Sequence, residues 1–187
     1  MKTYAILIVS IILICGCNTT KKVTTTDSTD DKVYLFPLEW IGHYAGVLTI
    51  HNSNGDTTQV KMELIIDQPD AMGLYPWVVK YAGSDVRHYG LEAINADKGH
   101  YRIDEYNSIK LDGYLRGNHF ITKFNVTQND LLFHYERTDD GVKILVHISD
   151  QEASSVTGGE KIGDDTVPNV SSYTIKGFQS AILKKIK

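Results

Sequence analysis

An all-β domain, an antiparallel up-and-down meander of about ten strands closed into a barrel, is the fold class that three features of this 187-residue sequence predict. Apolar residues recur with a period of two through most of the chain beyond Leu35, the signature of strands with one dry and one wet face. Turn-forming clusters separate these runs at hairpin spacing. No stretch of a dozen residues carries a 3.6-residue apolar period, which argues against crossover helices and a parallel sheet. The barrel is expected to follow an N-terminal signal helix and a flexible tether, so that the chain divides into 1–16, 17–35 and 36–187.

Lys2 precedes an apolar run from Tyr4 to Leu13 and then Ile14-Cys15-Gly16-Cys17. The run is too short to span a bilayer as a helix of about 20 residues, and its charged, apolar, small-residue order is that of a secretory signal, removed before folding. Ile14-Cys15-Gly16-Cys17 resembles the bacterial lipobox, which implies cleavage before Cys17 and acylation of that residue, with membrane lipid as its partner. Cys15 and Cys17 are the two cysteines of the chain; one leaves with the signal and the other carries lipid, so the exported domain has no disulfide and depends on its core. Asn18 to Lys32 is rich in Thr, Ser, Lys and Asp, the composition of a tether. Several acyl chains hold a protein on a bilayer far more firmly than one.

The mature protein is therefore expected in a Gram-negative-type cell envelope, lipid-anchored, on the outer membrane. Asn18-Thr19-Thr20-Lys21-Lys22 lacks the acidic cluster that marks surface export in some lipoproteins, which favours the periplasmic face over the cell surface. Loss of Lys2 takes the 19 basic residues to 18 against 23 acidic ones, a net charge of −5. Without a basic cluster to neutralise phosphates, nucleic acid is not an expected partner.

The spacing predicts strands at about 43–52, 57–67, 76–83, 86–95, 99–105, 109–116, 118–126, 130–138, 141–149 and 172–184. Val60, Met62, Leu64 and Ile66 alternating with Gln59, Lys61 and Glu63 is the clearest case. Asn54-Gly55-Asp56, Gly83-Ser84-Asp85, Asp97-Lys98-Gly99, Gly117-Asn118, Asn129-Asp130 and Asp139-Asp140-Gly141 supply the turns. Such a meander must cover its apolar face, and closing on itself also removes both edges. The inner face is expected to carry, among others, Leu48, Leu111, Phe120, Phe133, Ile144, Ile109, Tyr173 and Ile175. The connection from Asp150 to Ser171, rich in Ser, Gly and Asp, is expected to be a long loop, functional or disordered.

Pro37-Leu38-Glu39-Trp40-Ile41-Gly42-His43-Tyr44-Ala45-Gly46 resembles the first strand of calycin-type barrels, and ten strands bring the likeness nearest to the nitrobindin and fatty-acid-binding branch. The resemblance implies an internal cavity for an apolar ligand, or for haem in the nitrobindins. There the haem iron is held by a histidine near the last strand, whereas here the last histidine is His147 and nothing from Ser149 to Lys187 replaces it. No cofactor is therefore expected. Independently, about eight strands give a lumen that side chains just fill, so ten require a plug of aromatics or a ligand.

Candidate chemistry is sparse. His43, His51, His88, His100, His119, His134 and His147 are scattered without a metal-ligand spacing, five of them in the outward phase. Asp104 with Glu105, Asp67 with Asp70, and Asp139 with Asp140 sit at strand ends or turns, where carboxylates ordinarily bind backbone amides rather than run acid–base chemistry. No Gly-x-Ser-x-Gly elbow is present. The expectation is a non-catalytic protein that binds a small apolar or amphipathic molecule inside the barrel; the alternative is a filled barrel acting as a structural or interaction module. Candidate cavity residues are Tyr44, Trp77, Tyr81, Tyr89, Tyr101, Phe124 and Tyr135, with two polar residues that break the inward pattern, Arg137 and Gln179. Arg137 is expected either to find a pairing partner or strand end, or to meet a ligand carboxylate. Trp40 and Ile41 are placed to close the lower mouth against a basic stem, Lys184 or Lys185.

Overall fold

The ten expected strands form one closed antiparallel ring in the computed structural model, which describes residues 32–84 and 86–187. The signal at 1–16, Cys17 and the tether to residue 31 lie outside the described residues. Along the chain run β1 (Gly42–Asn52), β2 (Thr57–Ile66), β3 (Tyr75–Tyr81), β4 (Arg87–Asn95), β5 (His100–Asp104), β6 (Lys110–Arg116), β7 (His119–Val126) and β8 (Asn129–Thr138). Then come β9 (Gly141–Thr157), the short pair β10 (Lys161–Ile162) and β11 (Asp165–Thr166), and β12 (Val170–Lys185). The ring order is β1-β12-β9-β8-β7-β6-β5-β4-β3-β2, and β2 pairs with β1 to close it.

Alternation sets the register. A row of cross-strand neighbours, Leu48, Ala181, Ile144, Tyr135, Phe120 and Leu115, runs round the inside. A slip of one residue would expose every member of it. The outer phase carries the charges, tied into cross-strand pairs such as His43–Glu63 at 2.8 Å, Lys110–Asp104 at 3.0 Å and Arg102–Asp112 at 3.0 Å. Such exposed pairs contribute little each and serve mainly to keep that face wet.

One end of the ring is stoppered by the residues just before β1. Leu38–Trp40 form a single 3-10 turn, with the Trp40 N–H donating to the Pro37 carbonyl at 3.0 Å. This turn drives Trp40 and Phe36 into the lumen, both buried. The Tyr44 hydroxyl donates to the Trp40 carbonyl at 2.6 Å, and Lys185 Nζ donates to the Ile41 carbonyl at 2.7 Å. Trp40 thus closes the lower mouth as expected, while the basic stem reaches a carbonyl beside it. Tyr34, on the tether side of the boundary drawn from sequence, is also buried; its N–H donates to Asn118 Oδ1 at 2.8 Å and its hydroxyl to Asp139.

Three expectations are corrected. The segment 150–171 is not a loop: β9 and β12 run on past the barrel as a paired ribbon tipped by β10 and β11. Ser, Thr and Val there satisfy the ladder without needing a core. Tyr173 and Ile175 do not face inward but are 49% and 59% exposed, because the register shifts repeatedly between Ser172 and Gly177 and the ribbon has no lumen to face. The turn between β7 and β8 is Thr127-Gln128, both with positive φ, rather than Asn129-Asp130, which pair across to Val126 and Asn125.

Candidate functional site

The stopper and the strand side chains fill only the lower part of the lumen. Phe120 is the hub: its ring centroid lies 5.1 Å from Phe36, 5.9 Å from Trp77 and 6.3 Å from both Tyr101 and Tyr135. Gly113 makes room for it, since a Cβ there would stand 2.4 Å from the Phe120 ring. Trp77 on β3 and Tyr135 on β8, strands five places apart in the ten-membered ring, meet edge to face at 5.2 Å across the barrel. Their contact is a floor.

Above this floor lies a cavity of about 530 Å³. That volume falls within the range of small-molecule sites, roughly 300–1,000 Å³. One wall, from β6, β7 and β8, presents Leu111, Phe124, Leu131 and Phe133, with Phe124 and Phe133 stacked at 5.7 Å. The other, from β3 and β4, presents Val79, Tyr81, Arg87 and Tyr89. Glu105, Ile109, Asn125 and Val126 rim the mouth.

Of the residues singled out from sequence, Trp77, Tyr81, Tyr89, Phe124 and Tyr135 line this cavity. Tyr44 and Tyr101 belong instead to the solid lower half, their hydroxyls donating to main-chain carbonyls of the stopper. Arg137 is there too. Its guanidinium donates to the carbonyls of Gly141 at 2.9 Å, Glu39 at 3.3 Å and Thr138, and lies over the rings of Tyr34 at 4.4 Å and Tyr44 at 5.8 Å. Those partners pin the stopper to the β8–β9 turn and account for a buried cation away from the cavity. Gln179 faces inward between Ile50 and Val146, half-buried, and is not part of the cavity wall.

Arg87 and Asn125 were missed from the sequence, and Glu105 was weighed only as an acid pair with Asp104, although the signal for a cavity position existed. Arg87 shares the phase of Tyr89 and Leu91, and Glu105 that of Tyr101 and Ile103. Polar residues at strand ends look like turn residues unless the barrel mouth is known.

Burial raises the pKa of Tyr135, reinforced by the nearby phenols of Tyr81 and Tyr89 and opposed by a hydrogen bond from the Trp77 indole. Burial likewise raises that of Tyr81, against the pull of Arg87. Both remain neutral hydroxyls at any physiological pH. The surface that Tyr135 leaves accessible belongs to the cavity it lines.

The mouth is also where the backbone is held in uncommon conformations. Tyr106, Ser108, Thr127 and Gln128, with φ of 56°, 76°, 45° and 64°, are the non-glycine residues with positive φ among those described. All four lie in the β5–β6 and β7–β8 turns that flank the mouth, where β-branched Thr127 in particular is disfavoured. Elsewhere on the surface, His119 Nδ1 and His134 Nε2 stand 2.8 Å apart on the outer face. Among the described residues no three His, Cys, Asp or Glu side chains converge on a metal position. The carboxylates of Asp70 and Asp104 accept backbone N–H groups in their turns.

No protein-family model matches the chain, and no curated protein matches it. Among solved structures it is similar to a protein of unknown function from the DUF3598 family of Nostoc punctiforme, with a TM-score of 0.55 and 11% identity. The match covers 78% of this chain and 47% of that one, so the chain spans about half the length of this neighbour. At that identity the likeness shows the fold alone.

Proposed function

We propose that this protein is an envelope lipoprotein, anchored through acylated Cys17, whose barrel holds a small apolar or amphipathic molecule in a binding rather than a catalytic role. The observation that carries the ligand part is the cavity: about 530 Å³ of lumen left unfilled between an aromatic floor and an open mouth. Interiors of ordinary proteins pack without such voids, and a mostly apolar pocket with a few polar groups is how ligands are held and oriented. The anchor rests on the lipobox-like Ile14-Cys15-Gly16-Cys17.

Native mass spectrometry of the protein purified without denaturation tests the ligand reading. A co-purified small molecule, released on unfolding, is the expected result; consistent absence from lipid-rich preparations counts against it. For the anchor, a globomycin-type block of signal removal is expected to leave an uncleaved precursor, and unaffected maturation would refute it. A second reading, a protein-interaction module, is favoured by one feature: the projecting β9–β12 ribbon exposes Val156, Val170, Tyr173 and Ile175. Paired ribbons with apolar residues and open edges are surfaces on which other chains can add.

A further inference from the structure

Three outward histidines are answered by oxygen: His43 by Glu63 at 2.8 Å, His51 by the Thr57 hydroxyl at 3.0 Å and His100 by Asp112 at 3.1 Å. His119 on β7 and His134 on β8 are answered by each other, Nδ1 to Nε2 at 2.8 Å, although fifteen residues separate them in the chain. Antiparallel pairing brings them together. His119 stands opposite Glu136 and His134 opposite Ile121, so the two imidazoles occupy one diagonal of the outer face. Their centroids are 4.9 Å apart and the rings are inclined at 55°, so they meet nitrogen to nitrogen rather than face to face. Both are half-buried. Burial, helped by His119, lowers the pKa of His134, which keeps that ring in the neutral form that binds metals at neutral pH.

We propose that His119 and His134 form a site on the barrel's outer face for one divalent transition-metal ion, Cu²⁺ or Ni²⁺, bound by Nδ1 of the first ring and Nε2 of the second. Imidazole nitrogens bind such ions at about 2.0–2.1 Å, so two donors 2.8 Å apart subtend roughly a right angle at the metal. That is the cis angle of a square-planar or tetragonal site, the geometry of Cu²⁺ and Ni²⁺, and it is narrower than the tetrahedral angle of Zn²⁺. Binding needs a tilt of the rings and the movement of one proton. The ring that now donates shifts its N–H proton to its far nitrogen, and both facing lone pairs turn to the ion with neither ring changing charge. Glu136, beside the pair, offsets the charge of the ion, while Lys143 Nζ, 3.5 Å from that carboxylate, and His147 oppose it from β9. Two protein donors leave the remaining positions to water or an outside ligand, so the ion is held exchangeably.

The test is calorimetric titration with Cu²⁺ of the untagged full chain, its thiols alkylated so that Cys15 and Cys17 take no metal. One equivalent is expected to bind, with a tetragonal electron paramagnetic resonance spectrum coupled to two imidazole nitrogens. His119→Gln and His134→Gln are each expected to weaken binding by at least about tenfold, the lower end of what losing even an outer partner of a metal costs. His51→Gln, on the same outer surface but outside the pair, is expected to bind as the unaltered chain does. Failure to bind one equivalent, binding that survives either substitution in the pair, or an equal loss in His51→Gln overturns the assignment. Each variant is checked for fold by circular dichroism, and either member of the pair suffices to decide.

Discussion

The two halves of the lumen are built from the same alternating strands yet come out differently. Below the Trp77–Tyr135 contact, the polar groups mostly have work within the protein: Arg137 serves three carbonyls, and Tyr44 and Tyr101 tie down the stopper, while the buried Trp40 indole N–H has no acceptor among the described residues. Above it, the rings of Phe124 and Phe133 stack on each other and line open space. The difference teaches that ring size and fill are separate matters. Ten strands enclose more volume than their own inward side chains occupy, and only the end that receives Phe36 and Trp40 from outside the sheet becomes solid.

The largest expected effect comes from truncating the hub of the solid half. Phe120→Ala is expected to cost about 3–5 kcal/mol in urea unfolding, the range for a large aromatic lost from a packed core. Phe124→Ala, with open space already on one side, is expected to cost clearly less; equal costs would show that the upper half is packed after all. Next, Arg137→Ala is expected to cost about 2–3 kcal/mol by stranding buried carbonyls, with no change in binding of a cavity probe. A loss of binding without a loss of stability would move Arg137 into the site.

Filling the hollow half reverses the sign. Leu111→Phe is expected to stabilise by about 1 kcal/mol, as cavity-filling substitutions commonly do, while weakening ligand binding. Destabilisation would mean that the space is not free to be filled.

The smallest effect lies on the outer face. Burial lowers the pKa of His134 below its ordinary value of 6.5, and the adjacent His119 adds to this. A histidine whose folded pKa is depressed takes its proton more readily when unfolded, so its contribution is fully present above about pH 6.5 and is lost as pH falls through the folded value. His134→Gln is expected to flatten that part of the stability–pH profile, and an unchanged slope would break the assignment.

Much of this was legible beforehand because parity is a local property. Ten strands fell where period two placed them, and the inward positions from Tyr44 to Val146 followed from counting in twos. Parity failed where the sheet stopped being a wall. Tyr173 and Ile175 keep the apolar alternation, but bulges and the projecting ribbon leave them in solvent. Arg137 and Arg87 share the inward phase equally, and nothing along the chain says that one end of the barrel is stoppered and the other open.

The sequence by itself determined the strands, their two faces and the antiparallel order, since each depends on residues a few positions apart and on turns between neighbours. Only the tertiary structure decided that Phe36, Trp40 and Tyr34 plug one end, that Trp77 and Tyr135 meet across the ring, and that the space above stays empty. Those outcomes depend on volume, and volume is fixed only when strands distant in the chain close around it.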